Sequence, residues 1–236
     1  MLSFVVPAHN EELELPETLR SIRSSAVSAG QPFEIIVVDD SSTDETAAVA
    51  EEYGARVVPM RCRHIAAARN AGAYAASGEI LFFVDADTQI AAAHVEGAIA
   101  ALAGGASGGS AQLRFDRAVP FWVHVCFKIF CVMYFTANLG AGAFLFTSRQ
   151  NFLAAGGFDE QFFAAEETYL SMALKKFGPF RILRTPAITS ARKVRMHRPG
   201  HVLRQSLSVI FGGPNALRSR KKLDLWYDGK REKDPA

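Results

Sequence analysis

Cysteine is scarce in this 236-residue chain, which has only Cys62, Cys126 and Cys131, an odd number without Cys-x-x-Cys spacing. That pattern indicates neither a disulfide framework nor a structural zinc site, and a reducing cytoplasm is the expected compartment. The start lacks a basic stretch followed by a long apolar run. Leu2-Ser3-Phe4-Val5-Val6 reads as a first core strand instead, and no signal peptide is expected. No Gly-x-Gly-x-x-Gly follows a strand, which argues against a dinucleotide-dependent oxidoreductase. The first loop, Pro7-Ala8-His9-Asn10-Glu11-Glu12, is acidic and without glycine, unlike the basic Gly-rich phosphate loop of a nucleotidyltransferase. Charged residues make up 21% against 49% hydrophobic, a globular composition leaning apolar.

The net charge of +2 conceals an asymmetry. Residues 1–191 carry 14 Lys and Arg against 20 Asp and Glu, a balance of −6, whereas residues 192–236 carry 12 against 4, a balance of +8. The length suits one α/β domain over 1–191 with a basic C-terminal extension over 192–236. Such a tail suits a diphosphate or an anionic membrane surface, and equally plain solvation. It has no zinc-ligand pattern and no aromatic-basic RNA-binding signature, so no nucleic-acid partner is expected.

Two β-rich apolar runs, Leu2–Val6 and Phe33–Val38, flank a segment in which Leu15, Leu19, Ile22 and Ala26 recur at helical spacing behind Pro16. That is a β-α-β unit. Ser42 with Glu45 three residues on predicts a capping box opening a second helix, which ends at Gly54. A third strand is expected near Arg56–Pro59, an Ala-rich helix over 64–76, and a buried strand over Glu79–Val84. This alternation predicts a mostly parallel sheet flanked by helices, with ligands at the carboxyl ends of the strands. A further helix is expected over 91–104, followed by a flexible Gly-rich loop over 104–110.

The acidic clusters fall at those strand ends: Asp39 and Asp40 after the second, Asp85 and Asp87 after the fourth. In extended backbone, residues two apart share a side, so Asp85 and Asp87 would bring two carboxylates to one point. Mg²⁺ or Mn²⁺ is usually held by one or two carboxylates, with phosphates and water completing the shell. Ordinary roles compete at each position. Asp39, Asp40 and Ser42 suit turns and caps, and acids at Glu166-Glu167 suit a helix N-terminus.

Taken in order, Val5-Val6-Pro7-Ala8-His9-Asn10-Glu11-Glu12, Val37-Val38-Asp39-Asp40-Ser41-Ser42-Thr43-Asp44, Ala68-Arg69-Asn70-Ala71-Gly72 and Phe83-Val84-Asp85-Ala86-Asp87 resemble the nucleotide-binding half of family 2 glycosyltransferases. The resemblance continues more weakly through Gly140-Ala141-Gly142, Gly156-Gly157-Phe158-Asp159-Glu160 and Glu166-Glu167. It implies a GT-A fold, with a nucleotide-binding half over 1–90 and an acceptor half over 91–191. It also implies a UDP- or GDP-sugar donor, a Mn²⁺ or Mg²⁺ ion, and a hydroxyl acceptor that lipid-linked alcohols would satisfy. By the same resemblance, Pro7, Ala8, His9, Asn10 and Glu11, with Asp39 or Asp40 and Arg69, hold base and ribose. Asp85, Ala86 and Asp87 meet sugar and diphosphate, Asp85 and Asp87 bind the metal with His197 as a late ligand, and Glu167 or Glu166 is the base of an inverting transfer. Glu167 stands where the family usually has aspartate. A nucleotide-sugar-binding protein without turnover and, despite its loop, a nucleotidyltransferase are the competing readings.

Between these motifs lies a segment apolar on nearly every face: Phe121, Trp122, Val123, Val125, Phe127, Ile129, Phe130, Val132, Met133, Tyr134 and Phe135. At about 18 residues it approaches the roughly 20 of a membrane span. A true span, however, would part the metal pair from the base. The segment is therefore expected to be buried in the core, in a homodimer interface, or peripherally against the inner face of a membrane. A second membrane-facing candidate runs from His201 through Leu203, Leu207, Ile210 and Phe211 to the basic Arg218–Lys222.

Overall fold

The computed structural model describes residues 1–196 together with 200, 201, 217 and 218. Eight strands form one sheet: β1 (Leu2–Ala8), β2 (Phe33–Asp40), β3 (Arg56–Met60), β4 (Ile80–Val84), β5 (Thr88–Gln89), β6 (Gly108–Phe115), β7 (Phe144–Ser148) and β8 (Phe180–Thr189). Their order is β3-β2-β1-β4-β7-β6-β8-β5. The helices are α1 (Leu15–Ser28), α2 (Thr46–Glu52), α3 (Ile65–Ala75), α4 (Ala92–Ala103), α5 (Phe121–Thr136), α6 (Arg149–Ala154), α7 (Glu166–Leu174) and α8 (Arg192–Met196). β1 to β4 pair in parallel, and β7 runs antiparallel between β4 and β6. β8 then lies parallel to β6 and antiparallel to β5, leaving the sheet mixed but mostly parallel.

Alternation along buried strands feeds two cores. Leu2, Phe4 and Val6 meet Leu15, Leu19, Ile22 and Ala26 of α1 on one face, while Val5, Ile36 and Val38 meet Ala66, Ala68 and Ala73 of α3 on the other. Phe4 stacks on Phe82 across the sheet with centroids 4.7 Å apart. Each such buried Leu, Ile, Val or Phe side chain contributes roughly 1.5–3 kcal/mol. The small residues of α3 let it lie close to the strands. A Cβ on Gly72 would fall 2.3 Å from Val5 Cγ1 and 2.9 Å from Val38 Cγ2.

Four expectations need correction. The capping box does not form at Ser42, because Asp44 takes over as the local acceptor: its Oδ1 accepts the Thr46 N–H at 3.1 Å, and α2 starts at Thr46. The Gly-rich stretch is not a flexible loop throughout, since Gly108, Gly109 and Ser110 are buried and open β6. Their neighbours explain the glycines: a Cβ on Gly109 would stand 2.3 Å from both Arg181 O and Phe146 Cζ. The chain turns immediately after β4, with the Thr88 N–H donating to Asp85 O at 3.0 Å, so extended alternation does not govern Asp85 and Asp87. Finally, of the three places expected for α5, the core is excluded. Val123 is buried, but Phe121 is 81% exposed, Met133 61% and Ile129 55%. The helix lies on the surface, and among its described side chains the exposed ones are apolar apart from His124, Cys126, Lys128 and Thr136. Among the described residues no helix is long and apolar enough to cross a membrane.

Candidate active site

The carboxyl ends of β1 and β2 are laced together by the residues that the motifs supply. Beyond Pro7 and Ala8, His9 Nδ1 lies 2.9 Å from Asp40 O, and the Asn10 N–H donates to Ser42 Oγ at 2.9 Å. Asn10 Oδ1 accepts the Thr43 N–H at 2.8 Å, and Glu11 N–H donates to Thr46 Oγ1 at 2.7 Å. Asn10 and Ser41 both take left-handed backbone (φ 54° and 65°), and at Asn10 the bonds of its N–H and Oδ1 hold that conformation. Asp39 Oδ1 accepts the Ser42 N–H at 3.2 Å. Asp40 is buried and receives the backbone N–H groups of Cys62, Arg63 and His64 at 2.8–2.9 Å. Burial opposes its charge, but those three donors outweigh it and hold its carboxyl below the usual range.

Arg69 is the centre of the second cluster. Its guanidinium, 2% exposed, donates to Glu166 Oε1, to Asp85 Oδ1 at 2.7 Å and to Gly142 O at 3.0 Å, and lies over the Phe158 ring. Burial works against its charge, yet Asp85, Glu166 and Glu167 hold it firmly cationic. Next door, Asn70 clamps the Gly-Gly-Phe-Asp-Glu segment: Nδ2 donates to Phe158 O and Glu160 Oε1, both at 2.8 Å, and Oδ1 accepts the Phe158 N–H at 2.9 Å. The segment after it enters α7 through Ala165 in left-handed backbone (φ 61°), placing Glu166 and Glu167 in the first turn. Burial, with the negative charge of Glu166 and Asp85, pushes the Glu167 carboxyl up to about 8, against the pull of Arg69. Tyr134 of α5 meets Thr168 beside it through the two hydroxyls.

A third cluster was not foreseen. Arg192 Nη1 and Nη2 fork onto Glu11 at 2.5 and 2.6 Å, and Nη2 also reaches Asp87 Oδ2 at 3.1 Å. Glu14 adjoins it. Burial first, then Asp87 and Glu11, raise the Glu14 carboxyl, while Arg192 lowers it. Ala86, between the two aspartates, is buried and anchors the turn to α1 by accepting the Thr18 hydroxyl at 2.9 Å. Thus Asp85 and Asp87 are each engaged by a different arginine. His197 lies outside the described residues.

Six carboxylates, those of Glu11, Glu14, Asp85, Asp87, Glu166 and Glu167, gather around two guanidiniums. Among the described residues no three His, Cys, Asp or Glu side chains form a ready-made cation site. The donor set nevertheless fits Mn²⁺ or Mg²⁺: hard carboxylate oxygens, local negative charge in excess, and a cation class that leaves most positions to phosphates and water.

Comparison with known proteins agrees with this architecture. Residues 3–153 match the family model described as glycosyl transferase family 2. A curated relative, undecaprenyl-phosphate 4-deoxy-4-formamido-L-arabinose transferase of Pseudomonas aeruginosa, is 37% identical over 101 residues, covering 38% of this chain and 28% of that protein. Validoxylamine A glucosyltransferase of Streptomyces hygroscopicus subsp. limoneus is 34% identical over 113 residues, 44% of this chain and 24% of that one. The chain therefore spans less than a third of the length of these relatives. Among solved structures, mannosyltransferase PcManGT from Pyrobaculum calidifontis, in complex with GDP-Man and Mn²⁺, superposes with TM-score 0.69 at 21% identity, covering 96% of this chain and 67% of that one. Glucosyl-3-phosphoglycerate synthase from Mycobacterium tuberculosis, with Mn²⁺ and UDP, gives 0.62 at 21% identity over 90% of this chain and 79% of that one. With the fold of these GT-A transferases and a family match over more than half its length, the chain belongs to glycosyl transferase family 2.

Proposed function

We propose that this protein transfers a sugar from a UDP- or GDP-linked donor to a hydroxyl acceptor with inversion at the anomeric carbon. One observation carries the reading: Arg69 bonds Asp85 of the donor motif and Glu166 of the acceptor motif with a single buried guanidinium. Residues 1–191 serve as the catalytic domain, 1–90 on the donor side and 91–191 on the acceptor side. Pro7 to Glu11, Asp39 or Asp40, and Arg69 hold base and ribose, with Asp85, Ala86 and Asp87 at sugar and diphosphate. Asp85 and Asp87, with His197, would hold Mn²⁺ or Mg²⁺, which supplies charge neutralisation to the departing diphosphate.

Glu166 is committed to Arg69, which leaves Glu167 as the base. A carboxylate titrating near 8 is matched to proton abstraction at neutral pH. Glu167 accepts the acceptor's hydroxyl proton, and the oxygen attacks the anomeric carbon opposite the diphosphate. The new C–O bond forms as the bond to diphosphate breaks.

The position of α5 supports a lipid-linked alcohol as acceptor. Its inner side reaches Thr168, next to Glu167, while Phe121, Trp122, Val125, Ile129, Val132 and Met133 are exposed. Exposed Lys128 lies on α5, exposed Arg114 and Arg117 precede it in sequence, and Lys175 Nζ donates to Ala137 O at its end at 2.6 Å, which suits peripheral contact with the anionic inner face of a membrane.

The test is calorimetric titration of UDP and GDP into the purified protein with Mn²⁺ and again after chelation. Metal-dependent binding of one nucleotide is expected and names the donor class. Absence of binding by either nucleotide would overturn the reading.

A further inference from the structure

Arg192 belongs to none of the motifs, yet it is surrounded by carboxylates. It is 5% exposed, forks onto Glu11 and shares Asp87. Its Nε is buried without a hydrogen-bond partner among the described residues, so a donor hydrogen there awaits an acceptor. Nor is its position left to a flexible side chain. The Ser190 N–H donates to Asp87 O at 3.1 Å, the Ala191 N–H to Asp116 Oδ1 at 2.8 Å, and Thr88 pairs with Thr189 across β5 and β8. Backbone bonds thereby register Arg192 against the second aspartate of the donor motif. It also bonds the loop after β1, so one guanidinium joins both strand ends at which the donor is proposed to bind.

We propose that Arg192 is a donor-binding residue that shares Asp87 with the divalent cation and ties the cation's entry to that of the nucleoside diphosphate. The inference rests on the donor site proposed above. Arg192 holds one Asp87 oxygen, and a cation on the same carboxylate would bring two positive centres together with one anionic group between them. Coulomb repulsion disfavours the cation alone. A diphosphate removes the conflict, because its oxygens accept from the guanidinium and coordinate the cation at once. Glu11 keeps the guanidinium in place throughout, since it engages both terminal nitrogens.

The experiment uses the full chain and its Arg192→Gln and Arg192→Lys variants, with thermal unfolding as the check on folding. Mn²⁺ is titrated by calorimetry without nucleotide, and UDP and GDP are titrated at saturating Mn²⁺. In Arg192→Gln, affinity for Mn²⁺ alone is expected to rise about tenfold while affinity for the nucleotide with Mn²⁺ falls about tenfold, within the usual range of coupling between two ligands. Arg192→Lys keeps the charge but not the fork, and is expected to lose part of the coupling. Should Arg192→Gln not fold, the Mn²⁺–nucleotide coupling of Arg192→Lys against the unaltered protein decides: equal coupling overturns the proposal. Affinities that fall together in Arg192→Gln overturn it too, as a merely structural arginine would produce that result. An unaltered protein that binds neither nucleotide overturns the donor site itself, and the proposal with it.

Discussion

The two sides of the sheet are built differently. From β3 to β4 every strand is parallel, each linked through a helix, and polar groups collect where the strands end. From β7 to β5 direction changes repeatedly, glycines replace large residues in β6, and an apolar helix lies on the outside. The first side is held by repetition, as any strand resembles its neighbour. The second is held by single contacts that have no repeat to back them. A substitution on the donor side should therefore change binding, and one on the acceptor side should change chemistry or assembly.

Replacing Glu167 by Gln would break the comparison most sharply. Turnover is expected to fall about 10²–10⁴-fold with nucleotide binding nearly unchanged, measured by steady-state assay and calorimetry together. The pH profile sharpens the same point. Turnover needs the carboxylate, so it should decline as pH falls through about 8, roughly tenfold per unit below. Stability runs the other way: burial favours the protonated carboxyl, so that contribution is complete below the ordinary carboxylate range and is lost as pH rises through about 8. Glu167→Gln should accordingly flatten the stability profile between the ordinary carboxylate range and about pH 8. Glu166→Gln leaves Arg69 short of a buried partner, and denaturant unfolding should register a loss of about 3 kcal/mol.

Gly109→Ala tests the glycine-lined strand. The added methyl collides with Arg181 O and the Phe146 ring, and a loss of about 1–3 kcal/mol is expected with nucleotide affinity unaltered. The smallest change in stability, within about 0.5 kcal/mol, is expected for Ile129→Asn and Met133→Gln on the exposed face of α5. Sedimentation with vesicles containing anionic lipid should nonetheless lose the variants and retain the unaltered protein. Equal retention would remove the membrane contact, and concentration-dependent self-association lost in the same variants would assign the face to a dimer.

The donor side was legible because its signals are local. Buried parallel strands are continuous apolar runs, and Arg69 sits in a motif whose spacing carries the resemblance. Arg192 gave no such signal. It stands among the basic residues of the C-terminal stretch, and contacts distant in sequence, the pairing of β5 with β8 among them, bring it to Asp87. Composition misled at Gly108 and Gly109, where absent side chains serve neighbours distant in sequence rather than local mobility. At α5 it left three coverings open, because apolarity measures the cost of exposure to water but does not say what removes it. At Asp85 and Asp87 the error was conformational: a turn where extended backbone was expected gave each carboxylate its own arginine.

Gly72 lies one turn beyond Arg69 on α3 and sets how near that helix comes to β1 and β2. The depth of the helix and the reach of the guanidinium are in consequence a single degree of freedom. Mutational drift that lifts the helix by a methyl group draws Arg69 back from Asp85 and Glu166 together. Selection on packing and selection on turnover then act through the same coordinate, and neither can relax while the other holds.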